Sequence, residues 1–151
     1  MSEEQNPISL FVTHAWSTDD EYLRAFEFLE SSRHFYYRNL SRPLDCPNAT
    51  RQTQISALQA QMEKAEVVLV LAAQYADSAF WIDHQVATAL AMRKPLVLLP
   101  AFGSNAPAPV HLLSRIGVVV NWSERALVQA LRRQARPDTP LGWDTIDFTM
   151  D

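Results

Sequence analysis

Apolar and polar residues along this chain fall into blocks, and the period of the pattern changes from block to block. Ile8–Thr13 (ISLFVT) is a short apolar run after a polar start, which predicts a buried strand. In STDDEYLRAFEFLESS the period lengthens to that of a helix. Tyr22, Phe26 and Leu29 share a face there, Ser17 is placed to cap, and Asp19, Asp20 and Glu21 suit a first turn. Phe35–Leu40 (FYYRNL) is aromatic-rich and predicts a second strand. SRPLDCPNAT, with two prolines, is a loop. Gln54–Ala65 sets Ile55, Leu58 and Met62 on one helical face. Glu66–Ala73 (EVVLVLAA) is the strongest strand signal, apolar on both faces as a central parallel strand should be.

DSAFWIDHQVATALAMRK predicts a long helix, capped by Asp77 or Ser78 and stopped by Pro95. Leu96–Ala101 is another strand and FGSNAPAP a loop. Val110–Arg115 is a short helical turn and Ile116–Asn121 a last strand. Ser123 caps a final helix that runs to about Gln134. Asp138–Asp151 forms a tail whose Trp143 and Phe148 are expected to pack. Strands separated by single helices imply right-handed crossovers and a parallel sheet covered on both sides. The expected fold is therefore α/β, a three-layer flavodoxin-like arrangement with a parallel five-strand sheet and helices on both faces. One domain spans residues 1–136, and 137–151 are its C-terminal tail. Ligands in such folds sit beyond the carboxyl ends of the strands. That points to THAWS, NLSRP, AAQYADS and PAFGS.

Composition narrows the chemistry. A formal net charge of -4 argues against nucleic acid as a partner. A single cysteine, Cys46, rules out an intramolecular disulfide framework and fits a reducing compartment. No apolar run is long enough to span a membrane and no leader opens the chain, so the cytoplasm is the expected location. Three glycines leave no glycine-rich phosphate loop. His14, His34, His84 and His111 are scattered without metal-ligand spacing, so no metal is expected. No nucleophile elbow appears, and the central strand ends LAAQY without the aspartate a phospho-acceptor needs.

What remains is a set of loop residues. His14, Ala15, Trp16 and Ser17 follow the first strand. Trp16 is either a lid over the core or a stacking surface for a planar base. Asn39, Ser41 and Pro43 follow the second strand, where Asn39 either fixes a turn or hydrogen-bonds a ribose or phosphate. Tyr75 follows the central strand. On the long helix Ile82, Val86 and Ala89 make the buried stripe. Trp81, Gln85, Thr88 and Met92 make a neighbouring stripe that starts near the expected crevice.

Taken in order, these blocks resemble the bacterial TIR-like family of Thoeris antiphage systems, a branch of the Toll/interleukin-1 receptor domains. The resemblance runs from about Ile8 to Arg133. It rests on LFVTHAWSTDDEYLRAFEFLE, YYRNLSRP, QISALQAQMEKAEVVLVLAAQYADSAFWIDHQVATALAMRKPLVLLPAFG and IGVVVNWSERALVQALR. The resemblance implies a TIR fold and an enzyme that cleaves the nicotinamide–ribose bond of NAD, with NAD as substrate and no further cofactor. It implies an ADP-ribose-derived, cyclic or linear signal that activates a separate effector protein, and self-association into a homo-oligomer.

The family's catalytic glutamate lies four residues after the helix tryptophan, in a pattern like W-I-x-x-E-I. Here the pattern reads Trp81-Ile82-Asp83-His84-Gln85-Val86, and the carboxylate is missing. Cleavage of the N-glycosidic bond builds positive charge on the ribose, which a nearby carboxylate stabilises. Glutamine keeps the shape without the charge. Losing one preorganised electrostatic partner costs roughly a hundredfold to a thousandfold in rate. Two origins are open: an isosteric replacement of the kind used to trap substrate, favoured by the otherwise intact pattern, and a natural non-catalytic member. Asp83, two residues away, points to another side of the helix. By the resemblance, His14, Ala15, Trp16, Ser17, Asn39, Ser41, Pro43, Tyr75 and Trp81 line the nucleotide site. A non-catalytic scaffold or nucleotide sensor is the second reading. A nucleoside deoxyribosyltransferase-like enzyme is the third, and it also needs the absent carboxylate.

Overall fold

The computed structural model describes residues 3–138, and the tail call on Trp143 and Phe148 lies outside the described residues. The elements run β1 (Ile8–Val12), α1 (Asp20–Glu30), β2 (Tyr37–Asn39), α2 (Arg51–Met62), β3 (Val67–Leu71), α3 (Tyr75–Ala91), β4 (Leu96–Leu99), α4 (Val110–Leu113) and α5 (Glu124–Ala135). A single 3-10 turn, Ala72–Gln74, joins β3 to α3.

The sheet is parallel throughout, in the order β2-β1-β3-β4. Leu10 stands opposite both Asn39 and Val67, and Val68 stands opposite Leu96. Every residue of β1, β3 and β4 is buried. Alternation divides them between two cores. Ile8, Leu10, Val12, Val67, Leu69 and Leu71 face α1 and α5. Phe11, Val68 and Val70 face the other side, with Leu58 and Met62 of α2 and Ile82, Val86 and Ala89 of α3. Two-sided burial is why these strands read as continuous apolar runs.

The fifth strand is a correction. Ile116–Asn121 contributes only an isolated bridge, Leu98 to Val119. The Leu98 N–H donates to Val118 O and the Val120 N–H to Leu98 O. The next donor on β4 would come from residue 100, which is Pro100 and has no N–H. The Pro100 carbonyl is taken instead by the Trp122 indole Nε1, at 2.6 Å. The sheet thus has four strands and a one-bridge edge.

Capping moves two helix starts. Asp19, not Ser17, caps α1, its Oδ1 accepting the Tyr22 N–H at 2.8 Å, while Ser17 is exposed. Thr50 caps α2 one turn before the expected start, accepting the Thr53 N–H. Ser123 caps α5 as expected. Helix α3 begins at Tyr75 and breaks at Ser78, whose φ of -140° and ψ of 41° leave the helical region. Ser78 therefore marks where the straight part of α3 begins.

Candidate functional site

In the order β2-β1-β3-β4, the chain turns to opposite sides of the sheet between β1 and β3. That switch point, between the outgoing loops of β1 and β3, is where folds of this order place a ligand crevice. The loop after β1 carries Thr13, His14 and Trp16, and that after β3 carries Gln74 and Tyr75. These are two of the four segments the sequence singled out.

The crevice floor is polar and self-satisfied. The Thr13 hydroxyl donates to Gln74 Oε1 at 2.8 Å. Gln74 Nε2 donates to the Thr13 carbonyl and to Asp19 Oδ2. Beside them Gln85 reaches across from α3. Its Oε1 accepts the His14 N–H at 3.0 Å, and its Nε2 donates to the His14 carbonyl at 2.7 Å and the Trp81 carbonyl at 2.8 Å. Gln85 is fully buried. Its spacing placed it on a stripe beside the buried one, and the structure buries it as completely as Ile82 and Val86. Both amide hydrogens are spent on backbone carbonyls, so the side chain acts as a clamp. The amide matches this socket atom for atom, whereas a carboxylate would set an oxygen against two carbonyl oxygens.

His14 is also buried. Its Nδ1 accepts the Trp16 N–H at 3.2 Å, so Nε2 carries the proton and donates to Gln61 Oε1 at 3.0 Å. Burial holds its imidazole below the usual histidine range, against the opposing pull of the Gln61 bond and of Asp19 and Asp45.

Trp16 lies at 6 % exposure with φ of +64°, a left-handed conformation costly for an aromatic residue. It meets the His14 ring edge-on at 4.8 Å and the Trp81 ring at 6.0 Å. Trp16 is thus a lid packed into the core rather than an open stacking plate. Its indole Nε1 is buried without a hydrogen-bond partner.

At the second loop, Asn39 Oδ1 accepts the Ser41 N–H at 3.0 Å, so Asn39 does fix a turn. The Tyr22 hydroxyl bonds Ser41 Oγ at 2.8 Å and receives Asn39 Nδ2 at 3.3 Å. Pro43 is buried. Tyr22, Gln61 and Gln74 belong to this network although the sequence reading passed over them. Tyr22 looked like a core position of α1, and glutamine carries no chemical signature of its own.

Two groups separate. His14, Trp16, Trp81 and Gln85 are in contact. Asn39, Ser41 and Tyr22 form a second cluster, linked to the first through Gln61, whose Oε1 also accepts the Arg42 N–H. Ala15 is partly buried and Ser17 exposed, with no side-chain bond to either. Tyr75 points away, its hydroxyl donating to Asp83 at 3.0 Å.

The family model for the TIR-like domain of Thoeris protein ThsB matches residues 11–105, nearly two thirds of the chain and the whole span from β1 to beyond β4. The chain belongs to this Thoeris TIR-like family. No curated protein matches it. Among solved structures it is similar to a CMP N-glycosidase of Clostridium botulinum, BcmB. The identity is 16 %, the TM-score 0.50, and the match covers 82 % of this chain and 96 % of that one. It is also similar to a pilus assembly-related protein of Burkholderia pseudomallei, at 16 % identity and a TM-score of 0.53. That match covers 90 % of this chain and 95 % of the other. At such identities these likenesses carry the fold alone. For the Thoeris TIR-like chain, the matched span contains the clamp, the Asn39 turn and the Trp81–Gln85 spacing. Among the described residues, no helix is long and apolar enough to cross a membrane.

Proposed function

We propose that this chain is a TIR-like protein of antiphage defence whose β1–β3 crevice takes NAD or an ADP-ribose-derived nucleotide. Its class is the NAD nucleosidase and ADP-ribose cyclase type, its partner a separate effector reached through the nucleotide signal, and its setting cytoplasmic. Turnover in the chain as it stands is strongly impaired. The observation that carries this reading is the position of Gln85, one helical turn after Trp81 and bonded to the backbone of the first crevice loop. A family glutamate at the same place would put its carboxylate beside that loop.

The clamp itself favours the second reading over full catalysis. With both amide hydrogens on His14 and Trp81 carbonyls, Gln85 has no donor left for a ribose hydroxyl. Asp19 and Asp83 do not replace the carboxylate, because Asp19 caps α1 and Asp83 pairs with Arg115. A nucleotide-binding module that senses or scaffolds is the outcome this geometry favours if turnover is absent.

Calorimetry with NAD and with cyclic ADP-ribose isomers, run beside chromatographic assay of NAD, decides between the two. Slow NAD loss that rises in Gln85→Glu supports an impaired enzyme. Binding without loss in either protein supports the module. If neither nucleotide binds and NAD stays intact under self-associating conditions, the nucleotide reading fails.

A further inference from the structure

Outside the clamp, α3 and α4 enclose an open groove of about 420 Å³, lined by Phe80, Asp83, His84, Ala87, His111 and Arg115. None of these residues hydrogen-bonds to His14, Gln74 or Gln85, although Phe80 and His84 pack edge-on against the back of Trp81. One wall is a near-parallel ring pair, Phe80 and His84, at 6.1 Å with an 8° interplanar angle. His111 lines the other side, backed by the Tyr75 ring at 6.3 Å and 22°. The Arg51 guanidinium lies 4.2 Å above the Phe80 ring and fixes it further. Such walls favour a flat ligand.

The polar edge has a definite pattern. Arg115 Nη2 donates to Asp83 Oδ1 at 2.5 Å, and Arg115 Nε to the His111 carbonyl at 2.9 Å. The Tyr75 hydroxyl donates to the other Asp83 oxygen. Carboxylate and guanidinium thus stand side by side with their charges cancelled, and both remain partly exposed. Each Asp83 oxygen keeps a free lone pair, and Arg115 keeps unused N–H donors. Such an edge does not call for an anion or a cation. It offers an acceptor beside a donor, the complement of an amide, which presents an N–H beside a C=O. The wall is also unfinished, because His84 Nε2 is buried without a partner.

We propose that this groove binds a flat heteroaromatic molecule through an amide edge, its ring against Phe80 and His84, its N–H on Asp83 and its C=O on Arg115. The lactam edge of guanine or uracil and the carboxamide of nicotinamide share that chemistry. Adenine presents the same order through N6–H beside a ring nitrogen, whereas 1,3-dimethyluracil, which has no N–H, lacks it. The site is separate from the β1–β3 crevice, and its occupancy does not depend on NAD cleavage.

Imidazole signals of His84 and His111 are followed by NMR while guanosine, uridine, nicotinamide or 1,3-dimethyluracil is added to the full chain. The three amide-bearing probes are expected to shift both signals, with their ranking naming the natural source. 1,3-Dimethyluracil, which keeps the ring and carbonyls without an N–H, is expected to bind about tenfold more weakly, the loss of one charge-assisted hydrogen bond. Ala87 is exposed on the outer face of α3, so Ala87→Trp fills the groove and should abolish the shifts while NAD binding in the crevice persists. Arg115→Gln, which leaves the space open, should weaken the three probes. No shift with any probe at millimolar concentration, equal binding of 1,3-dimethyluracil, or unchanged binding in both variants overturns the proposal.

Discussion

The side chain of Gln85 and the backbone of His14 are joined twice, N–H to Oε1 at 3.0 Å and Nε2 to carbonyl at 2.7 Å, across 71 residues of sequence. A third bond ties the same amide to its own helix at the Trp81 carbonyl. The pairing copies one rung of a parallel ladder and extends the β1 end of the sheet onto α3. The loop after β1 is held by this clamp, and Gln85 sets its geometry.

Replacing Gln85 by Glu tests the clamp through pH. A carboxylate keeps the bond from the His14 N–H and sets its other oxygen against two carbonyls. The folded protein therefore favours the protonated acid, which raises the pKa above the unfolded value near 4.3. A raised folded pKa means stability that is present at low pH and lost as pH rises through it. Urea unfolding of Gln85→Glu should show a small deficit below about pH 4.3, where the acid has one O–H for two carbonyls, and fall a further roughly 1–3 kcal/mol by neutral pH. A pH-independent deficit contradicts the clamp.

His14 and His84 give a pH dependence of the opposite direction. Burial lowers both imidazoles from the ordinary value of 6.5. The unfolded chain then takes up protons first. Stability is complete above pH 6.5 and is lost as pH falls through the depressed folded values. Urea midpoints should drop between pH 8 and pH 5.5, and His14→Asn should flatten part of that slope. An unchanged slope would assign the acid sensitivity to carboxylates instead.

The hydroxyl of Tyr22 supports the loop after β2 by bonding Ser41 and Asn39. Tyr22→Phe keeps the ring against Phe26 and removes both bonds. The expected cost is about 1–2 kcal/mol. Amide-exchange protection should fall around Ser41 and stay level around β3. Uniform loss across the fold would mean that Tyr22 serves only the α1 core.

The strands and the stripe of Ile82, Val86 and Ala89 were legible because burial is periodic, and periodicity survives in a single sequence. The cap at Ser123 was legible because its partner lies three residues on. Gln85 was not. Its spacing from Trp81 is plain, but its partner is a backbone group that carries no residue identity and lies 71 residues away. The groove at Asp83 was hidden for the same reason, since Arg115 is 32 residues distant. Strand five was overcalled. Apolar periodicity at Val118–Val120 outweighed a visible signal, the missing N–H of Pro100.

Arg93 offers a change that should raise stability. It follows α3 with φ of +60°, the left-handed value that usually calls for glycine. The cap around it is complete: the Arg93 N–H donates to Leu90 O at 3.0 Å, and the Lys94 N–H to Ala89 O at 2.8 Å. Arg93 itself is exposed. Arg93→Gly therefore relieves the crowding of Cβ against the backbone, roughly 1–2 kcal/mol. Glycine's greater freedom in the unfolded chain offsets about 0.5–1 kcal/mol of that. The net expectation is a gain of between zero and about 1.5 kcal/mol in urea unfolding with an unchanged denaturant slope. A loss of stability would mean that the side chain of Arg93 makes a compensating contact, and Arg93→Asn, which tolerates the same backbone, would then fall between the two.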